Sequence, residues 1–408
     1  MHIWLFSYLA PPQLNAESIL VGKMVRQLTK HMQVTLLTSG DDPDFRVDSQ
    51  LAEFMGNEVI LRRFMNGYPD SKIARRLMQR SYMNLFGDPQ WSWRKHVNHW
   101  GEEQIKQGSP SSKQLPDLLY SRSQPGSSHL AALHMKRLLH VPWVAQFNDP
   151  WAHNPYHPLK KGDKRLVLEQ QVCTQVDHAI FPTAEMSALY ESLYPRLKGK
   201  TSVLPHHFDK ELYGSAKRFG RKEPIQMAYV GDFYGARSPE PLLKALELAE
   251  SYEPDIQHKL QIQFIGNAEQ RYQEFIREYQ KKLRTTIIRK PQVEYFESLR
   301  IIADAQMLVM IDAPTDENIF LSSKLIDYLG GCRPILGITS KKGTAAEILT
   351  RYGYPVAVPE EPDKISQALI ELIQRRDEYM ERALQQNVGM YSSEAVAGQL
   401  IEVFQGLL

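Results

Sequence analysis

Short apolar runs recur along the first half of the chain at 2–8, 34–39, 58–62, 117–122, 141–147 and 178–182, and each reads as a strand. Patterns with the helical period separate several of them. One is 18–30, where Ile19, Leu20, Val25 and Leu28 are the apolar positions; another is 129–139. The second half repeats the arrangement, with strand runs at 225–230, 260–265, 307–311, 334–338 and 355–358. Helical patterns at 239–251, 270–282 and 365–374 lie between them. Strands alternating with helices predict an α/β protein with two doubly wound parallel sheets. The polar, breaker-rich stretch 209–224, ending Lys-Arg-Phe-Gly-Arg-Lys-Glu-Pro, reads as the linker between domains at 1–208 and 225–390. No short repeat or low-complexity tract interrupts the pattern.

In open parallel sheets ligands sit at the C-terminal ends of the strands, so the residues just past each strand are the ones to inspect. After 225–230 comes Gly231-Asp232-Phe233-Tyr234-Gly235-Ala236-Arg237, followed by Ser238-Pro239-Glu240 at a helix start. The glycines permit a tight turn, and Arg237 beside helix amides can hold phosphate oxygens. A turn with a solvated arginine is the plain alternative. The next strand also ends in glycine, Gly266.

The stretch SSKLIDYLGGCRPILG, 322–337, has serines suited to an N-cap and an apolar face of Leu325, Ile326, Tyr328 and Leu329. Lys324 and Asp327 have no packing reason to be there. A helix beginning at a binding site offers free amides to anions, and Lys324 adds a charge to that end. Asp327, one turn on, can accept from two neighbouring hydroxyls, as a ribose presents. The alternative is a surface ion pair worth about 0.3 kcal/mol. On spacing alone the two readings stand level.

Composition narrows the class. The 408 residues allow two or three domains, and 42% hydrophobic with 24% charged residues is ordinary for a globular protein. A net charge of +2 removes any global pull toward nucleic acid. Cys173 and Cys332 are the two cysteines, far apart, which argues against a disulfide framework and for a reducing cytoplasm. No run approaches the roughly 18 apolar residues of a membrane helix, and the first residues lack the basic start of a signal peptide.

Residues 322–338 resemble the C-terminal motif of retaining GT-B glycosyltransferases, the group 1 or family 4-like set, written Pro-Ser-Lys-x-x-Glu-Tyr-x-x-x-Gly-x-Pro. Residues 231–237 resemble the diphosphate turn of that family, and VLPHHFD, 203–209, the segment before it. Met390-Tyr391-Ser392-Ser393 and the helix that follows, 391–408, resemble the terminal helix that returns to the N-domain. FNDPWAHNPY, 147–156, with 117–138 before it, is similar to a subgroup that assembles surface polysaccharides. The likeness implies two Rossmann-like domains facing a cleft, with a nucleotide-sugar donor in the C-terminal one.

It also implies residue roles. Arg237 and Lys324 would hold the donor diphosphate, with Gly231, Asp232, Gly266 and the amides of Leu321, Ser322 and Ser323 around it. Asp327 would bind the donor ribose. Tyr295, after a short strand at 293–294, would lie beside the base or in the core. On the acceptor side stand Asn15, Ala16 and Glu17, in the place of a Gly-Gly loop, and Arg122. Asp149 would orient a hydroxyl or cap its own turn. Departures from the family pattern are Asp for Glu at 327, Ile319 in place of an acid eight residues earlier, and side chains in the 15–17 loop.

For such an enzyme the resemblance implies front-side displacement with retention, the departing diphosphate helping to deprotonate the acceptor. No metal and no cofactor are implied. Asp42-Pro43-Asp44 reads as a solvated turn, His153 and His157 are split by Pro155, and His206-His207 reads as facing the cleft rather than a metal. The segment 71–101 has six Lys/Arg against one acid and three tryptophans. It suits an anionic bilayer carrying a lipid-linked acceptor, with Arg75, Arg76 and Arg80 as lipid contacts; Trp91, Trp93 and Trp100 as core residues are the alternative. The resulting expectation is a cytoplasmic, peripherally membrane-bound transferase moving a sugar to a glycan or lipid-linked acceptor. A nucleotide-sugar epimerase or hydrolase, and a degenerate scaffold of the same fold, are the rivals.

Overall fold

The computed structural model describes residues 1–40, 42–107, 115–213, 223–315 and 318–408, which form two compact units. The first unit combines Met1–Pro205 with Ser393–Leu408, and the second is His206–Ser392.

The first unit is built on a seven-stranded parallel sheet of β1 (His2–Phe6), β2 (Gln33–Ser39), β3 (Ile60–Phe64), β4 (Leu118–Ser123), β5 (Trp143–Phe147), β6 (His178–Phe181) and β7 (Thr201–Val203). Their order is β3-β2-β1-β4-β5-β6-β7. Every residue of β1, β4 and β5 is buried, because helices cover both faces. Alternation along β1 divides the core. Trp4 and Phe6 enter one cluster with Trp93, Trp143 and Phe147; Ile3 and Leu5 enter the other with Val21, Val25 and Leu28. The helix Ser393–Gln405 adds Val396, Leu400 and Phe404 to that second cluster, which is why the end of the chain belongs to the first unit.

The second unit carries a six-stranded parallel sheet of β8 (Ile225–Val230), β9 (Leu260–Ile265), β10 (Thr286–Lys290), β11 (Met307–Ile311), β12 (Ile335–Ile338) and β13 (Val356–Ala357), ordered β10-β9-β8-β11-β12-β13. Both sheets reverse direction once, at β1/β4 and at β8/β11. These switch points open a crevice at the strand ends, the usual ligand position in such sheets.

Several sequence expectations shift. The chain crosses between units at 205/206 and 392/393, not through 209–224. Residues 206–213 pack within the second unit: a Cβ on Gly330 would meet the Phe208 ring, and Tyr213 bonds Asp327 across 114 residues. The rest of the expected linker, 214–222, lies outside the described residues. The first helix begins at Ala16 rather than 18, because the Asn15 side chain caps it, accepting from the Ser18 amide at 2.9 Å. Ala16 and Glu17 are therefore helical and not part of a loop. The strand expected at 293–294 is absent, and Tyr295 opens the helix Tyr295–Asp304.

In the basic segment, the helix Lys72–Phe86 stops at Gly87 in the left-handed region and is followed by the helix Trp91–Gln107. The tryptophans of the second helix pack inward. Trp93 is fully buried, Trp100 lies 4.9 Å from Trp4 between ring centres, and Trp91 stacks on Phe86 at 4.4 Å. Arg75 is buried rather than lipid-facing, since its guanidinium pairs with Asp44 at 2.8 Å. Asp42 is buried, accepting from the Tyr8 hydroxyl at 2.8 Å, while Pro43 and Asp44 of the same turn are exposed, so the turn is solvated only in part.

Candidate functional site

The end of β8 is fixed by a helix distant in sequence. The helix Ser323–Gly330 buries Leu325, Ile326, Tyr328 and Leu329, and the Val230 amide donates to the Tyr328 hydroxyl at 2.8 Å. Packing on that face carries Lys324 to the strand end. Its Nζ donates to the Tyr229 hydroxyl at 2.8 Å and lies 4.3 Å from the centre of the same ring. The backbone beside it must be glycine. Gly231 has φ 148°, and a Cβ there would overlap the Lys324 ammonium; Gly266 has φ 141°, and a Cβ there would overlap the Gly231 carbonyl.

The turn leaving β8 is tied to its neighbour. The Asn267 amide donates to Asp232 Oδ1 at 2.6 Å, the Phe233 amide to the Asn267 carbonyl at 2.9 Å, and the Gly235 amide to Glu269 Oε1 at 2.9 Å. Arg237 follows, with its guanidinium 5.4 Å from the Tyr234 ring centre and Nη2 3.8 Å from Asp312 Oδ1. Asp312 stands directly after β11. Sequence reading missed it, since one acid in a polar loop carries no signal. The structure thus brings Gly231, Asp232, Arg237, Gly266 and Lys324 to one strand end and adds Tyr229 and Asp312.

The electrostatics are those of two cations, Arg237 and Lys324, held close to two carboxylates, Asp232 and Asp312. Burial pushes the Lys324 ammonium well below the ordinary lysine value, and the Arg237 charge adds to this, while Asp312 and Asp232 oppose it. Burial raises the Asp312 carboxyl against the opposing pull of Arg237. Leu321 is buried, and Ser322 takes an extended N-cap conformation (φ −70°, ψ 125°) without a side-chain cap, so it and Ser323 begin the helix beside Lys324. Asp327 faces elsewhere: its Oδ1 accepts from the Tyr213 and Tyr295 hydroxyls, each at 3.2 Å. Tyr295 is accordingly a buried partner of the carboxylate the resemblance assigns to ribose.

The first unit has its own strand-end cluster. Arg122 is sealed inside it, with Nε donating to Glu17 Oε1 at 2.9 Å and Nη1 to Gln146 Oε1 at 2.8 Å and the Tyr120 hydroxyl at 3.0 Å. The Asn148 amide donates to the second Glu17 oxygen. Burial raises the Glu17 carboxyl; Arg122 and Asn148 lower it, and the Asp149 charge raises it again. Arg122 is hence a buried counter-ion, not an exposed contact. Asp149 lines a cavity of about 380 Å³ with Gln90, Gln124, Trp151, Asn154 and His157. His153 stands 3.8 Å from buried Glu169, and His206 and His207 are buried. Among the described residues, no three His, Cys, Asp or Glu side chains cluster closely enough to hold a metal ion.

No family profile matches the sequence, and no curated protein matches it at sequence level. Solved structures do. Anabaena HepE in complex with UDP-glucose superposes with a TM-score of 0.69 at 13% identity, covering 100% of both chains. Sucrose-phosphate synthase from Thermosynechococcus elongatus gives 0.65 at 15%, covering 100% of this chain and 98% of its own. The apo lipopolysaccharide outer core galactosyltransferase WaaB gives 0.63 at 11%, covering 100% of both. These neighbours are GT-B glycosyltransferases, and the fold of this chain, two Rossmann-like units, is GT-B.

The depressed Lys324 value has a measurable consequence. Between its folded value and the unfolded value of about 10.4, the unfolded chain binds more protons, so stability rises with pH across that window. Denaturant titrations from pH 7 to 10 are expected to show this rise in the wild type and a smaller one in Lys324→Met. Equal slopes would contradict the lowered ammonium value.

Proposed function

We propose that the chain is a nucleotide-sugar glycosyltransferase whose donor diphosphate binds at the β8/β11 strand end. The observation that carries this reading is the convergence of Arg237 and Lys324 on a glycine turn at the switch point of the second sheet, beside a helix N-terminus. A diphosphate brings further negative charge to the partly desolvated Lys324 ammonium, and the two cations offset the charge that develops on the leaving group. Their presence supports a reaction without a metal. Catalysis then consists mainly of orienting donor and acceptor and neutralising the departing diphosphate. Retention at the anomeric carbon follows from the motif likeness. UDP-glucose bound to Anabaena HepE and UDP in a second complex of that protein support a uridine nucleotide as the first donor to test.

The acceptor is read as a glycan, and the first unit supports it with Asp149 and the amides of Gln90, Gln124 and Asn154 around one cavity. Asp149 would orient the attacking hydroxyl. Contact with an anionic membrane is read on the helix Lys72–Phe86 alone. Ile73 and Leu77 are 74% and 61% exposed there, Lys72, Arg76 and Arg80 are exposed with them, and the helix has no acid. A degenerate, non-catalytic chain is the second reading, favoured by Ile319 and by the two tyrosines on Asp327.

Thermal shift with UDP, GDP, ADP, CMP and dTDP in EDTA tests the donor site. One nucleotide at 100 times its dissociation constant adds about 2.7 kcal/mol of stability, and Arg237→Ala or Lys324→Ala removes most of it. No shift with any nucleotide brings the degenerate reading forward. Vesicle flotation tests the membrane contact. The chain is expected to float with phosphatidylglycerol vesicles and not with phosphatidylcholine, and Ile73→Glu with Leu77→Glu should abolish flotation. A chain that stays at the bottom of both gradients has no such surface.

A further inference from the structure

At the end of β11 stands a carboxylate that none of the sequence motifs includes, facing two cations, with Asp232 as a second acid near Lys324. Asp312 is 5% exposed, and its Oδ2 accepts from Asn318 Nδ2 at 3.1 Å and Thr339 Oγ1 at 2.9 Å. Both donors are themselves buried, so the plane of the carboxylate is fixed. Its other oxygen looks toward Arg237, whose Nη2 is 3.8 Å away. That spacing is an ion pair and too long for a hydrogen bond, while Nη1 of the same guanidinium lies 3.4 Å from the Tyr234 hydroxyl. Arg237 and Lys324 repel each other across the same space; Asp312 offsets this for both, and Asp232 adds to it at Lys324.

We propose that Asp312 is a counter-charge built into the diphosphate site, holding Arg237 aimed at the strand end while the site is empty and opposing retention of the free nucleoside diphosphate after transfer. The inference rests on the reading of this strand end as the donor site. In the reaction, the bond between the anomeric carbon and the diphosphate oxygen breaks and its electron pair stays on that oxygen. The acceptor oxygen forms the new bond and gives up its proton to the diphosphate or to solvent. Until it is protonated, the product diphosphate carries one more negative charge than the donor did. A carboxylate at fixed position repels it more than it repels the donor. Arg237 passes from Asp312 to the incoming diphosphate and back again on release. Asp312 is thus a positioning residue that acts through Arg237.

The test is calorimetric titration of UDP, GDP and dTDP, each beside its monophosphate, into the full chain and its variants. Asp312→Asn keeps an oxygen for Thr339 and loses the charge. Asp312→Ser is a second neutral variant, and Asp312→Glu retains the charge. Both neutral variants are expected to tighten the diphosphate roughly tenfold, between the water and protein limits of Coulomb's law at such spacings. The monophosphate gains less than about threefold, and Asp312→Glu stays within about twofold of wild type, by the same distance dependence. Unchanged or weaker diphosphate binding in the neutral variants overturns the proposal, as does an equal gain for the monophosphate. If the wild type binds a diphosphate and Arg237→Ala loses it, the donor site stands whatever Asp312 does. If neither the wild type nor any variant binds a nucleotide, the donor reading fails and this inference fails with it.

Discussion

The ammonium of Lys324 lies 2.8 Å from the Tyr229 hydroxyl and 4.3 Å from the centre of its ring, and the strand end of the second unit is shaped around that position. Withdrawing an ammonium from water is costly, and a hydroxyl and a π face return only part of that cost. The surroundings show what the placement demands. Gly231 removes the Cβ that would obstruct it, Gly266 leaves room for the Gly231 carbonyl, and the Tyr328 hydroxyl on Val230 holds the helix that delivers it. A cation kept this way, next to a second cation, makes sense where an anion arrives to complete the set. Under the proposed function, that anion is the donor diphosphate at the switch point of the doubly wound sheet.

The first unit manages charge differently. Glu17 and Arg122 are both buried, and their polar atoms are met by Tyr120, Gln146 and Asn148. A buried pair of this kind adds little net stability, but removing either partner leaves an uncompensated charge costing about 3–5 kcal/mol. What the pair provides is geometry. It ties Glu17, in the first turn of the helix that Asn15 caps, to β4, so residues 15–17 are a helix start rather than a glycine loop. Asp149, whose charge is felt by Glu17, stands beside this frame and on the wall of the neighbouring cavity.

Strands were legible in the sequence because sheets covered on both faces need continuous apolar runs, as in β1, β4 and β11. The grouping of Gly231, Arg237 and Lys324 was legible only through the likeness of two separate segments, 231–237 and 322–338, to motifs of one family; spacing alone left each of them open. Other features depend on contacts that no local pattern carries. Asp312 is a single acid after a strand, and its meaning comes from Arg237, 75 residues earlier (312 − 237), and Thr339, 27 later (339 − 312). Tyr213 reaches Asp327 over 114 residues, which moved the unit boundary ahead of the polar stretch and gave the aspartate two phenol partners. Charge counting misplaced Arg75, because the count cannot see Asp44 beneath it. The helix beginning at Ala16 depended on reading Asn15 as a cap rather than as part of a loop.

The most direct measurement of the central claim is a crystal structure of the chain with UDP, or with whichever nucleoside diphosphate binds it. The diphosphate is expected against the Gly231 turn, with Arg237 and Lys324 on its oxygens and the amides of Ser322 and Ser323 beside it. A diphosphate bound elsewhere on the chain, with Lys324 still closed on Tyr229, would contradict it.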